Sequence, residues 1–193
     1  EQAAEHLQPE PVDWRVKLSE RVRVATRTTG VGLWEWNLVH RTFSWDERTY
    51  ELFGLTPGDE KLDLSVIFRC VHPQDRMRLA EELQRASSGL TELDVKFRVP
   101  ASSGRVRHLH AQAELIDRGG GMSFRLVGTL RDVTATHRLS EALAEERERL
   151  QVTLNSIGDA VIATDVDSVV TFFNPPAAAM TGWSAKEAVG RPL

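Results

Sequence analysis

The sequence of 193 residues has a single cysteine, Cys70, and no apolar run that approaches the ~18 residues of a membrane span. One cysteine excludes an internal disulfide and a cysteine-based zinc site, and it suits a reducing compartment. A signal-peptide pattern is also absent. The net charge of −4 gives no reason to expect nucleic acid. We therefore expect a cytoplasmic chain without a membrane span or a nucleic-acid partner.

Catalytic motifs are missing as well. The sequence contains no phosphate-binding loop, no HExxH and no nucleophile elbow, and it shows none of the machinery of a kinase or a cyclase. We expect this stretch to be no enzyme and to hold no metal site. Because it opens on Glu1 and stops at Leu193 without a terminating element, we interpret it as part of a longer protein.

Periodicity predicts an α+β domain. A helical pattern from Asp13 ends near Gly30, and two short strands at 33–37 and 42–45 form a hairpin. Short helices follow, then a longer helix from Pro73 to about Ser88 with Met77, Leu79, Ala80 and Leu83 as its apolar set. Three strands complete the pattern, at 93–99, 105–116 and 122–131, with turns at 101–104 and 119–121. Five antiparallel strands with intervening helices are typical of an α+β sandwich of roughly 100 residues.

The chain also repeats itself at an offset of 128 residues. Gly30 aligns with Gly158, Asp46 with Asn174 and Gly54 with Gly182, so turn and cap residues recur in register. A second copy is expected to begin near Asp159 and to be truncated after its first hairpin and short helices.

Between the copies lies a polar stretch, 132–158, with no proline and no glycine before Gly158. Leu143, Leu150 and Ile157 recur every seven residues, with Leu154 one helical step from the last two, which predicts a helix with a narrow apolar seam. Ser140 and Arg147 interrupt that seam, so the helix is expected to pair weakly and to leave two arrangements close in energy.

Several motifs resemble the PAS family, in the form whose fold is completed by a PAC segment. They are the opening at 32–54, His72-Pro73-Gln74-Asp75, Phe97-Arg98-Val99, and Leu126 to Thr134 with its closing Asp-Val-Thr. The stretch from Ser156 to Trp183 is similar to PAS openings in bacterial signalling proteins. The resemblance implies a leader and flanking helix at 1–28, a PAS/PAC domain at 29–134, a helical linker at 135–158 and a second PAS domain from 159.

In PAS relatives, aromatic side chains can line a ligand cavity, and the alternative is that they fill the core. The candidate cavity residues are Trp34, Trp36, Phe43, Trp45, Tyr50, Phe53, Phe68, Phe97 and Phe124. The cofactor is left unknown. Light-oxygen-voltage flavin chemistry is not supported, because Cys70 lacks the Asn-Cys-Arg context, and haem is not supported, because the long helix has no histidine.

The resemblance also implies a role in signalling. Asp132 and Thr134 can accept backbone N–H groups of the emerging helix and set its direction. Together with Leu143, Leu150, Leu154 and Ile157 they form the predicted transmission set. The resemblance further implies a homodimer formed through the N-terminal and linker helices. It also implies a C-terminal output domain for cyclic-di-GMP turnover. A histidine kinase sensor, or a ligand-free dimerisation or docking module, is the alternative.

Overall fold

The computed structural model describes residues 14–101, 104–117 and 124–193. The chain divides into two compact units, the first ending at Ala135 and the second spanning Thr136–Leu193. The predicted turn at 119–121 and the predicted strand start at Met122 lie outside the described residues.

The first unit follows the predicted order of elements closely. It contains α1 (Trp14–Thr29), β1 (Gly32–Asn37), β2 (Thr42–Trp45), α2 (Glu47–Phe53), α3 (Leu64–Cys70), a 3-10 turn (Pro73–Asp75), α4 (Arg76–Ser87), β3 (Leu93–Pro100), β4 (Val106–Asp117) and β5 (Phe124–Asp132). Helix α2 begins and ends where its caps require. Asp46 Oδ1 accepts from Thr49 N, and Gly54 adopts a left-handed φ of 72° after the last turn.

The five strands form one antiparallel sheet in the order β2-β1-β5-β4-β3. The registers Trp34↔Gly128, Ala113↔Gly128 and Leu93↔Ala113 place these four residues in one row across the sheet. Gly128 has a steric role there, because a Cβ would lie 2.2 Å from Gln112 O and 2.8 Å from Trp34 Cζ2. The missing side chain allows the indole of Trp34 to approach β5, where its Nε1 donates to Thr129 O at 3.1 Å.

The core lies between one face of this sheet and the helices. Leu93, Val95, Phe97 and Val99 all point inward, as their alternation predicted. The predicted apolar set of α4 was wrong in two of its four members. Met77 is 75 % exposed and Ala80 is also exposed. The buried face consists of Leu79, Leu83 and Ala86, whose spacing of four and three residues follows one side of a helix.

The second unit contains most of α5 (Thr134–Ser156), then β6 (Ile162–Thr164), β7 (Val170–Phe173), α6 (Pro175–Thr181) and α7 (Ala185–Ala188). Its apolar cluster is small, with Val170, Phe173, Ala177 and Ala188 at its centre. Ser184 and Glu187 form a capping box at the start of α7. At the matching place in the first unit, Thr56 and Asp59 form a turn instead of starting a helix.

Candidate functional site

The inner face of the sheet and the packed helices enclose an apolar cavity of about 40 Å³. Of the predicted cavity residues, Trp34, Phe43, Trp45, Phe53 and Phe97 line it, and the hydroxyl-bearing Thr49 lies among them. Pockets for small molecules usually measure ~300–1,000 Å³, whereas a single water needs only about 10–15 Å³. In this conformation the cavity has room for a few waters and none for a flavin or a haem.

The remaining predicted aromatics lie elsewhere. Tyr50 meets Trp45 edge-on, with ring centroids 5.3 Å apart, and Phe68 packs against the rim of the core. Phe124 is partly exposed at the start of β5. Trp36 stacks on Phe43 and lines an open groove. Contact of any of these side chains with a ligand stays a prediction.

The junction between β5 and α5 is held by the closing Asp-Val-Thr. Asp132 Oδ1 accepts from Thr134 N at 2.9 Å, which is the helix-start contact that the sequence predicted for Asp132. The Thr134 hydroxyl behaves differently from the prediction. It donates to Asp132 and accepts from His108 N of β4 at 2.8 Å, rather than from an N–H of the helix. Because Val133 N also donates to His108 O, at 2.8 Å, the start of α5 extends the hydrogen bonding of the sheet.

Helix α5 itself ends one residue earlier than the seam requires. None of its side chains is buried, and Leu143 and Leu150 are 70 % and 55 % exposed. Ile157 follows the last helical residue, Ser156, so the predicted seam loses its final member from the helix. Leu154 is half-buried, and its carbonyl accepts from Asn174 Nδ2 at 3.1 Å.

The histidines and the cysteine take part in local contacts. His108 and His110 lie on one face of β4, and His110 Nε2 lies 2.7 Å from Asp94 Oδ1. The hydrogen bonds from His110 and Gln112 lower the pKa of Asp94. Burial raises the pKa of the Cys70 thiol, which makes it less reactive. His137 lies 3.1 Å from Glu141 on α5, at the spacing of one helical turn.

The His72-Pro73-Gln74-Asp75 motif serves as a clamp between α4 and β3. Asp75 is buried, and both of its carboxylate oxygens accept from Arg98, at 2.9 Å from Nε and 2.9 Å from Nη2. Asp75 Oδ2 also accepts from Arg98 N at 2.9 Å. These bonds lower the pKa of Asp75 from 3.8 to about 2. This arrangement stabilises the domain rather than forming a reactive site.

Sequence reasoning missed two polar contacts that organise the modules. Arg107 Nη1 donates to the carbonyls of Glu51 and Leu52 and so caps the end of α2 from β4. Asn174 was identified only as the counterpart of Asp46. Its position before Pro175 and Pro176 is a signal for an N-cap, but the two bonds from its amide nitrogen depend on tertiary structure.

Among the described residues, no group of three or more histidine, cysteine, aspartate or glutamate side chains could hold a metal ion. Within the same ranges, no helix is both long and apolar enough to cross a bilayer.

Comparison with known proteins places these features in a family. A PAS fold model matches residues 42–130, and a second PAS fold model matches residues 148–193. The probable diguanylate cyclase DgcE of Escherichia coli (strain K12) is 38% identical over 177 residues, which are 92% of this chain and 16% of that protein. The non-motile and phage-resistance protein of Caulobacter vibrioides is 29% identical over 153 residues, which are 75% of this chain and 17% of that protein.

Among solved structures, a sensory box histidine kinase/response regulator from Burkholderia thailandensis E264 has a TM-score of 0.55 and 26% identity. The match covers 68% of this chain and 98% of that structure. The two curated relatives are much longer, and the chain spans about a sixth of the length of each. With two matched regions and a five-stranded antiparallel sheet in the first, the chain belongs to the PAS family of sensory domains.

Proposed function

We propose that this chain is a cytoplasmic sensory region that detects a small ligand, a redox state or a partner. It passes the signal through a pair of α5 helices to a C-terminal output domain that makes or degrades cyclic-di-GMP. The assignment of the output is supported by the similarity to a probable diguanylate cyclase over 92% of the chain. A histidine kinase output is the alternative, supported by the structural likeness to a sensory box histidine kinase.

The observation that carries this proposal is the exposed seam of α5. A helix that is polar on every side needs no partner, but Leu143 and Leu150 are more than half exposed at a spacing of seven residues. Apolar residues at this spacing bury themselves when two copies of a helix pair. In α1, Val22 is likewise 41 % exposed, which supports the use of both flanking helices in a homodimer.

The contacts at the start of α5 support the same proposal. A change in the sheet that moves β4 at His108 acts directly on the Thr134 hydroxyl and therefore on the first turn of α5. Ser140 and Arg147 occupy the seam positions that would otherwise make the pair tight. A weakly packed pair of helices has alternative arrangements of similar energy, and a small bias from the sheet selects between them.

The test replaces Leu143 and Leu150 with serine in the full-length protein. We expect the double variant to lose dimerisation in sedimentation velocity and to lose control of its output activity. Glu145 and Val152 provide the matched control, since they are also seven residues apart and exposed but lie on another face of α5. Serine at both control positions is expected to leave dimerisation and control unchanged. Unchanged regulation in the Leu143 and Leu150 variant would contradict the proposal.

The small volume of the interior cavity favours a second candidate, a ligand-free module for dimerisation or docking. A cavity of about 40 Å³ is too small for an organic cofactor unless the core expands. An absorption spectrum and a native mass spectrum of the purified chain discriminate the two. A retained chromophore or a bound mass supports sensing by the interior. An empty chain whose output ignores small molecules supports docking.

A further inference from the structure

The indole N–H of Trp36 is a buried donor without a hydrogen-bond partner in the described part of the chain. Its neighbour on the same strand face, Trp34, donates to Thr129 O at 3.1 Å. Buried N–H groups nearly always have a partner in folded proteins, either in the protein or in an ordered water. Trp36 is an exception, and its N–H reaches an acceptor outside the chain only if the indole turns.

Trp36 lines an open groove of about 590 Å³ on the first unit. The groove is lined by Trp36, Leu38, Arg41, Phe43, Asp63 and Leu64, together with two serines. Its volume lies within the ~300–1,000 Å³ of typical small-molecule pockets, unlike that of the interior cavity. Trp36 and Phe43 stack with ring centroids 5.3 Å apart and planes 8° from parallel, which offers a flat apolar surface.

Arg41 contributes the positive charge of the groove. Within the described residues, its guanidinium makes no hydrogen bond and no ion pair, and the side chain is exposed. Its backbone is left-handed, with φ of 53°, in a turn where Asn37 Oδ1 accepts from Val39 N and His40 N. A residue other than glycine in this conformation is uncommon, and hairpin turns are one of the places where it occurs.

The acidic side chain in the groove is already engaged. Asp63 caps α3, where its Oδ1 accepts from Ser65 Oγ and from Val66 N at 3.0 Å. A carboxylate that accepts these bonds has less capacity left to pair with Arg41. The groove thus combines one available cation and a stacked aromatic surface, and the unsatisfied N–H of Trp36 is buried beside it.

We propose that this groove binds a small amphipathic carboxylate. The carboxylate pairs with the Arg41 guanidinium and, once the indole turns toward the groove, accepts from Trp36 Nε1, while the apolar body lies against the Trp36–Phe43 stack and Leu64. This inference rests on the sensory role proposed above and names the class of ligand. Because Phe43 lines both the groove and the interior cavity, a ligand bound in the groove contacts a side chain of the core directly.

The experiment observes the indole N–H signals of the ¹⁵N-labelled chain by NMR, with Trp36→Phe to assign the signal of Trp36. The probes are 3-phenylpropionate, 4-phenylbutyrate and octanoate, each compared with its uncharged primary amide. We expect the carboxylates to shift the Trp36 signal saturably, with the roughly millimolar affinity of unoptimised small ligands, and to leave that of Trp183 unmoved. The amides are expected to shift it little.

Variants of Arg41 test the pairing. Arg41→Gln is expected to weaken carboxylate binding about tenfold or more, because it removes a charge-assisted, two-pronged contact. Arg41→Lys keeps the positive charge but loses the planar guanidinium that can donate two parallel hydrogen bonds. It is expected to show an intermediate loss of carboxylate affinity. Arg138→Gln, an exposed change on α5, is the matched control and is expected to bind as the unaltered chain does.

The proposal is overturned if no carboxylate shifts the Trp36 signal, if the amides shift it equally, or if Arg41→Gln binds the carboxylates unchanged. Arg41 is exposed, so its variants keep the core intact, and a thermal unfolding curve verifies this. An empty groove combined with normal loss of control in the Leu143 and Leu150 variant would refute the ligand class alone. An empty groove combined with unchanged control of the output in that variant would refute the sensory role as well.

Discussion

Helix α2 of the first unit and helix α6 of the second are the same element at an offset of 128 residues. Both have seven residues and both end at a glycine with a left-handed φ, 72° at Gly54 and 76° at Gly182. Asp46 N donates to Leu33 O in the first copy, and Asn174 N donates to Val161 O at the matching positions of the second. The predicted internal repeat is therefore reproduced in the hydrogen bonds as well as in the residues.

The two copies differ in what surrounds this shared element. In the first, β1 lies between β2 and β5, and the sheet buries one face of α2. In the second, β6 pairs with β7 within the described residues, and several large apolar side chains such as Met180 and Trp183 are exposed. Caps and turns depend on a few neighbouring residues and form in both copies. Burial depends on the meander, which the structure describes only in the first.

The cap residue itself also differs, with consequences for the preceding helix. An aspartate only accepts, so Asp46 binds Thr49 N and the Thr49 hydroxyl. Asn174 accepts from Val161 N and Ala177 N, and its amide nitrogen also donates to Leu154 O and Asp159 O. The second copy is thus attached to α5 by its cap, whereas the first holds the end of α1 through Arg48 Nε and Gly30 O.

The largest expected difference between the copies is at Leu52 and Met180, which align at the same offset. Leu52 is 2 % exposed and Met180 is 75 % exposed. Leu52→Ala is expected to lower the free energy of unfolding of the first unit by about 2–5 kcal/mol, because it leaves a cavity in the core. Met180→Ala is expected to change that of the second by less than about 0.5 kcal/mol. Hydrogen exchange resolved by unit measures both, and equal effects would contradict the comparison.

We expect acid to lower the free energy of unfolding of the first unit by about 2 kcal/mol. The pKa of Asp75 is lowered from 3.8 to about 2 by Arg98, so the carboxylate stabilises the fold above pH 3.8. That stabilisation is lost as the pH falls from 3.8 through about 2. Urea unfolding at several pH values measures the loss.

Asp75→Asn is the control for that loss and is expected to remove the pH dependence in this interval. Hydrogen bonds from Ser184 also lower the pKa of Glu187 in the second unit, but this pair is exposed and its contribution is expected to be smaller. A loss of equal size in Asp75→Asn would show that other carboxylates are responsible.

The last comparison exchanges the two cap residues. Asp46→Asn keeps the acceptor for Thr49 N and is expected to change stability by less than about 0.5 kcal/mol. Asn174→Asp replaces a donor to two carbonyls with a charged acceptor, and we expect a cost of roughly 1–3 kcal/mol. Faster hydrogen exchange at the end of α5 and in β6 would report this loss. If both exchanges have the same effect, attachment of α5 by Asn174 is not important.

Local features of the fold were predictable from the sequence, because caps, alternation and turns act over a few residues. Asp46 and Gly54 predicted the bounds of α2, and alternating side chains predicted β3. Met77 was assigned to the wrong face, because the phase of α4 is determined by the residues that meet the sheet. The partner of the Thr134 hydroxyl was not predictable either, since His108 lies 26 positions away and meets it only through the register of β4 and β5.

The candidate site was predictable in its chemistry but not in its geometry. The aromatic residues were identified as candidates without their positions in the fold. The structure places Trp34 against β5 and Trp36 in a different groove, because β1 extends past the packed centre of the sheet. Arg41 carried no signal in the sequence, since the left-handed turn that holds it is visible only in the backbone.

The hydrogen bond between Thr134 and His108 also has a mechanical consequence. Helix α5 has 23 residues, which at about 1.5 Å per residue makes a rod of about 35 Å. A tilt of about 5° at the anchored end of such a rod displaces its other end by roughly 3 Å, which is over half of the ~5.4 Å pitch of a helix. If a small movement of one strand tilts α5 by this angle, the far end of the helix moves by a distance that neighbouring side chains can register.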